Sequence, residues 1–340
     1  MRKLLVLVLV LTGLWSGYWF LGSSAIRQAA EDWFAGAAAQ GILAEKSDLS
    51  LAGFPNRFDL TVTGPVLRDP ARGIGWQAPF VQVFAMTWKP WHIIAALPPE
   101  QVVTLPGQEV KLAAEGLRAS FRARPATDLP LASVIVESGP FTASSSAGWT
   151  AAAGRAVASI SADEEVPGAG DAPDAYVLAL NASDLAPDPE VMARIGEGSG
   201  LPPRIATLRL VATASLTAPL DRFAAETHPR LAALELTDSL LAWGELSASA
   251  SGRIAPDDQG FAAGRVEIAV TNWQPLVPAL VAAGAIKPEQ AQTLTRLLTA
   301  LAQESGDPDA LKLPLTLADG RVSLGFLPLG EAPRMLRPTG

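Results

Sequence analysis

The chain has 340 residues, no cysteine, two histidines and a formal net charge of −8. Without cysteine there is no disulfide framework, thiolate nucleophile or thiolate metal site, and two isolated histidines do not make a His-rich metal centre. An acidic balance with no clustered Lys and Arg argues against nucleic acid, whose binding rests on neutralising phosphates.

The run from Leu4 to Leu21 carries no charge. As a helix it spans roughly 27 Å, close to the ~30 Å thickness of a hydrocarbon layer. Arg2 and Lys3 precede it, and Trp15, Tyr18, Trp19 and Phe20 gather at its far end, where amphipathic rings sit at a membrane interface. The expectation is a single-pass anchor over 1–22, cytoplasmic tip included, with the bulk of the chain outside. Ser23 and Ala25 also form a small-x-small site ahead of Ile26, so the rival reading is a signal segment cleaved after Ala25. Ser24 is placed to cap a helix over 25–40, with Ile26, Ala30, Trp33, Phe34 and Ala37 on one stripe. That gives a juxtamembrane helix over 23–41 that ends at Gly41 and packs on the body.

Beyond residue 49 the apolar period becomes two. Phe58 to Thr63 alternates strictly and closes at Gly64-Pro65. Phe80, Phe84, Met86 and Trp88 share one parity and Val81, Val83 and Ala85 the other, as in a strand buried on both faces or lining a groove. Further strands read at 102–105, 110–114, 117–123, 134–136 and 149–160, with turns at Pro106-Gly107 and Glu115-Gly116. The acidic stretch 163–174, rich in Gly and Pro, reads as a long loop or linker between a first β-rich half (42–162) and a second (175–340). In the second half 176–180 and 208–216 read as strands and 189–195 as a short helix. Residues 247–273 read as a hairpin about Asp257-Asp258-Gln259-Gly260. A helical insertion follows near 275–303, with Pro288 in the first turn of its second helix and Ala291, Leu294, Leu298 and Leu301 on one face. Strands over 313–317 and 322–326 flank a turn at Asp319-Gly320. Strand, W-x-P, apolar helical turn occurs twice, at Trp88-Lys89-Pro90 and at Trp273-Gln274-Pro275, as a duplication would leave. The fold class expected is mainly β with a few helices: an N-terminal transmembrane helix, then large curved antiparallel sheets forming a groove or incomplete barrel.

Catalytic patterns are absent. There is no G-x-S-x-G elbow, the nearest approach having Glu197 ahead of Gly198-Ser199-Gly200. Neither H-E-x-x-H nor a phosphate-binding Gly loop occurs, so no catalytic residue, cofactor or metal is assigned. The ligand-binding candidates are Arg57, able to clamp a lipid phosphate, His92 in its aromatic company, and Phe80, Phe84 and Trp88 along the doubly apolar strand. Against each stands a plainer role: Arg57 pairing with a carboxylate, His92 packed under Trp91.

Gly53-Phe54-Pro55-Asn56-Arg57-Phe58-Asp59-Leu60, Trp76-x-Ala78-Pro79, Trp88-x-Pro90-x-His92 and the closing run 319–330 resemble the envelope family of domain of unknown function 2125. The likeness covers nearly the whole chain and implies an inner-membrane-anchored, β-rich periplasmic protein of a Gram-negative bacterium. The hairpin 247–273 and the last Gly-rich strands are similar, more loosely, to the C-terminal regions of AsmA-like proteins, whose sheets form hydrophobic grooves implicated in lipid movement. The function expected is therefore non-enzymatic. Its partners are the membrane through Leu4–Leu21 and a lipid or other hydrophobic ligand in envelope maintenance. The alternatives are a scaffold for an envelope protein partner and a cell-wall or glycan hydrolase.

Overall fold

The structure, a computed structural model, describes residues 1–162, 174–304, 306–324 and 327–335. All but one residue of the acidic stretch read as a linker lie outside them. The chain divides into two compact units, Met1–Pro125 with Val136–Trp149, and Ala126–Ile135 with Thr150–Gly340.

The first unit begins with α1 (Arg2–Gly36), one unbroken helix where the sequence suggests two. Ser24 caps nothing; the neighbouring Ser23 hydroxyl bonds back to Phe20 O at 2.9 Å, which lets a serine sit inside a helix. A 3-10 turn over Ala37–Gln40 follows, and Gly41 at φ 76° ends it. Residues 2–40 are long and apolar enough to cross a membrane, as an anchor or a signal sequence is.

The strands of this unit are β1 (Leu43–Glu45), β2 (Asp48–Ala52), β3 (Arg57–Thr63), β4 (Val66–Asp69), β5 (Ile74–Gln77), β6 (Phe80–Met86), β7 (Lys89–Ala96), β8 (Glu100–Leu105), β9 (Gln108–Ala114) and β10 (Arg118–Ala123). β11 (Leu131–Ser138) straddles the division, and β12 (Phe141–Ser145) returns to the first unit. They build two antiparallel runs, β1-β4-β5-β8-β9-β12 and β2-β3-β6-β7-β10, so the chain alternates between them. β7 covers Trp91–Leu97 almost entirely, so the first W-x-P leads into a strand and not a helical turn.

β6 is not sealed on both faces: Phe80 to Ala85 are all half-buried and Met86 is 42% exposed. Register explains the doubly apolar sequence. Val81, Val83 and Ala85 stand opposite Val62, Leu60 and Phe58, with Ile93 and Ala95 beyond, and so belong to an apolar face. Gln82 and Phe84 stand opposite Thr61 and Asp59 on a mixed one.

In the second unit β13 (Thr150–Ala153) and β14 (Arg155–Ala162) precede β15 (Asp174–Leu185), α2 (Pro189–Ser199), β16 (Ile205–Leu216), α3 (Ala224–Thr227), β17 (Leu231–Trp243), β18 (Leu246–Pro256) and β19 (Ala262–Thr271). Then come α4 (Leu276–Ala282), α5 (Pro288–Glu304), β20 (Ala310–Ala318), β21 (Arg321–Leu324) and β22 (Leu327–Glu331). From β14 to β22 each strand pairs antiparallel with the next, a meander that does not close into a barrel. The hairpin read from sequence is β18–β19. Its turn is set by the Asp257 carboxylate, which accepts from the N–H groups of Gln259 and Phe261. The core sits at one end of this sheet. Met192 and Ile195 of α2, Val277 of α4, and Leu298 and Ala302 of α5 pack with Trp273 on Leu246, Val270 and Leu311.

Candidate functional site

Cross-strand register puts alternate residues of each strand of the meander on a common face, with a bulge at Thr237 switching the parity within β17. In the row through β15 to β21 stand Leu178, Ala212, Leu236, Gly252, Val266, Leu315 and Leu324, and in the next Leu180, Leu210, Ser239, Ala250, Ile268 and Leu313. Ser239 is the one polar side chain here, and its hydroxyl is bonded to Ala250 O at 2.7 Å. The other parity carries Arg209, Glu235, Asp238, Ser249, Ser251, Arg253, Glu267 and Lys312, among them the ion pairs Arg209–Asp238 and Arg253–Glu235. Apart from the buried row Ala175, Ser215 and Ala233 at one end of the polar side, the sheet thus has a mainly polar face and an apolar one.

Burial along that apolar face is graded from the ends inward. On β20 Leu311 is fully buried and Leu317 buried, while Leu313 and Leu315 between them are half-buried. On β15 Tyr176 and Ala182 are buried, with Leu178 and Leu180 half-buried between them. On β16 Ala212 and Ala214 are buried but Leu210 is 40% exposed. The helix-covered cluster accounts for one end, and Ala262, Leu317 and Ala332 with Phe261 and Met335 for another. Tyr176 is fixed by accepting the Leu220 N–H at 2.8 Å. Leu178, Leu180, Leu208, Leu210, Leu234 and Leu236 belong to neither packed cluster of the described residues. A half-buried apolar strip outside the packed clusters is the kind of surface that takes an apolar ligand.

The first unit holds a separate groove of about 610 Å³ on the β4-β5-β8-β9-β12 sheet. Val66, Val102 and Ala113 line it with Gln77, Glu100, Lys111, Thr142 and Ser144. Glu100 lies opposite Ala113 and Lys111 opposite Val102, so the two charges are diagonal neighbours on the sheet. Nearby Gln101 is buried, accepting from Trp76 Nε1 at 2.9 Å and donating to Pro98 O at 3.2 Å. Among the described residues no group of three or more His, Cys, Asp or Glu is placed to hold a metal ion.

The five candidates read from sequence lie on the adjacent strands β3, β6 and β7 and the turn between the last two. Arg57 pairs with Asp59 at 2.6 Å, as the plainer reading has it, and its guanidinium lies 5.9 Å from the Phe84 ring centre. Phe80 begins the same strand, at the opposite end from Met86, and faces Thr63. His92 Nε2 lies 3.1 Å from Ser120 Oγ on β10. Trp88 sits in the β6–β7 turn, 49% exposed. Only Arg57 and Phe84 touch. Sequence reading missed the leucines of β15–β17 because β15 and β16 alone read as ordinary alternation and the bulge in β17 hides its own. The run of apolar parity across neighbouring strands appears only with the register.

A second feature links α1 to its unit. Trp15 Nε1, Tyr18 OH and Trp19 Nε1 donate to the carbonyls of Pro55 (3.0 Å), Thr87 (2.8 Å) and Arg57 (2.7 Å). Trp19 is buried against Phe20, Phe54 and Phe58, with ring centres 5.2, 5.3 and 6.2 Å away. Further along, Arg27 donates to Leu49 O and Glu31 pairs with Lys46. The aromatic cluster at the end of the apolar run is therefore a docking seam.

The chain is matched over residues 19–333 by the family described as an uncharacterized protein conserved in bacteria (DUF2125). No curated protein and no solved structure matches it, and no match carries the looser likeness to AsmA-like proteins.

Proposed function

The chain belongs to the DUF2125 family, and on that premise we propose that it is a membrane-anchored, non-enzymatic module that shelters acyl chains on the open apolar face of its β14–β22 sheet. The setting is the periplasmic side of a bacterial inner membrane, with α1 retained as the anchor. One observation carries the reading: Leu178, Leu180, Leu208, Leu210, Leu234 and Leu236 form a contiguous apolar patch that neither packed cluster covers. Burying apolar surface is worth about 25 cal/mol per Å², so an acyl chain laid over these rows gains what a sealed core would already have taken. The helices pack at one end of the sheet, reaching Ile268 and Leu313, and the β15–β17 part of the middle rows lies outside both packed clusters. In the two middle rows themselves no charged residue stands on the apolar face.

Photo-cross-linking tests it in the native membrane. A benzophenone side chain at Leu210 is expected to capture lipid, and one at Arg209, on the opposite face, is not. Capture of one discrete protein at Leu210, with no lipid adduct, would replace this reading with that of a scaffold for a protein partner.

A further inference from the structure

Taking α1 as membrane-spanning, which this inference shares with the proposed function, its docking geometry leaves too little free helix for the crossing. Trp15 is the first residue bonded to the body. Residues 2–14 ahead of it rise about 20 Å at 1.5 Å each, against a hydrocarbon layer of ~30 Å. The missing ~10 Å corresponds to roughly seven more residues, which takes the crossing to Leu21. That segment is already in contact with the loop holding Phe54 and Pro55 and with the turn holding Thr87 and Trp88.

The side chains at that level are those an interface accepts. Phe20 is 62% exposed, Phe54 53% and Trp88 49%, and the Phe20 and Phe54 rings stack at 5.7 Å. Met86 is exposed beside them, Arg57 is half in solvent, and exposed Lys89 follows Trp88. Large exposed aromatics on loop tips are unfavourable in water and favourable among lipid headgroups. Basic neighbours suit lipid phosphates.

We propose that the β2–β3 loop and the β6–β7 turn are inserted in the headgroup region of the same bilayer that α1 crosses. Phe54 and Trp88 form a second membrane contact that seats the body on the lipid. The occupant is the bilayer itself. The seam explains why three indole and phenol donors are committed to backbone carbonyls: they hold the inserted loops at a fixed height on the helix.

The absence of cysteine makes the test direct. Single thiols at Leu9, Phe54, Met86 and Trp88 in the full chain are labelled with nitrobenzoxadiazole in vesicles of phosphatidylethanolamine and phosphatidylglycerol. Each is then quenched by iodide from water or by a nitroxide carried on the lipid headgroup. Probes at 54 and 88 are expected to be quenched severalfold more by the headgroup nitroxide than the glutathione adduct of the dye, and to resist iodide, with the probe at 86 following them. Probes at 54, 86 and 88 as open to iodide as the glutathione adduct, with the Leu9 probe resistant, would overturn the second contact and leave the anchor standing. A Leu9 probe open to iodide would overturn both.

Discussion

Asp188 accepts hydrogen bonds from the backbone N–H groups of Thr150, Glu190 and Val191, tying the start of α2 to the start of β13. These bonds, Thr150 first, hold its carboxyl below the ordinary aspartate range despite some desolvation. A depressed folded-state value means that the stabilisation is present above the unfolded pKa and is lost as pH falls through the folded one. Asp188→Asn, which keeps an acceptor, should therefore flatten the acid-side fall of the thermal midpoint. Asp188→Ala should lower that midpoint at neutral pH as well; circular dichroism melts across the acid range check both. Gly22 poses a question of sign. Alanine is the better helix former by about 1 kcal/mol, but a Cβ there would lie 2.8 Å from the buried Phe58 ring. That ring is stacked on Trp19 and has little room to retreat, so Gly22→Ala is expected to destabilise the first unit in urea melts. Trp19→Ala should cost about 3 kcal/mol, as large-to-small changes in packed sites do. It should also expose the Gly53–Asn56 turn to protease.

At the scale of elements, the hairpin β18–β19 depends on two glycines. Gly252 and Gly264 sit at φ 149° and 146°, and a Cβ at either would collide with the carbonyl oxygen of Arg265 or Arg253 across the ladder. Alanine at either position is expected to cost roughly 2 kcal/mol or more and to open the hairpin, which amide exchange at Ser251 and Glu267 would show. Much of this architecture was legible beforehand. Strict alternation marked β3, β16 and the hairpin, and the Asp257–Gly260 turn placed its tip. Among the strands that escaped are β4 and β5, where Arg68, Asp69, Pro70 and Gly73 look like loop and the pairing is supplied by neighbours, and β17, whose alternation is broken midway. The supposed repeat failed for a related reason. The residues after Pro90 are β-branched (Ile93, Ile94) and pair with β6 and β10, whereas those after Pro275 form a short helix that packs on α2 and the sheet end.

At the scale of the molecule, the long apolar N-terminal helix and the predominance of β structure were legible from period and length, while the leucine strip was not. Arg57, Phe80, Phe84, Trp88 and His92 were chosen for local chemistry, and they lie on β3, β6, β7 and the turn between β6 and β7, away from the strip. The open strip is built from residues unremarkable one by one, scattered over Leu178 to Leu236. What unites them is a parity shared across paired strands, a quantity no single stretch contains. Native mass spectrometry of the detergent-solubilised full chain, run beside the Leu210→Glu/Leu236→Glu double variant, tests the acyl-chain account most directly. The account predicts co-purifying lipid on the wild-type chain and its loss from the double variant while the fold persists. A folded wild-type chain carrying no lipid, or a double variant carrying the same lipid, would contradict it.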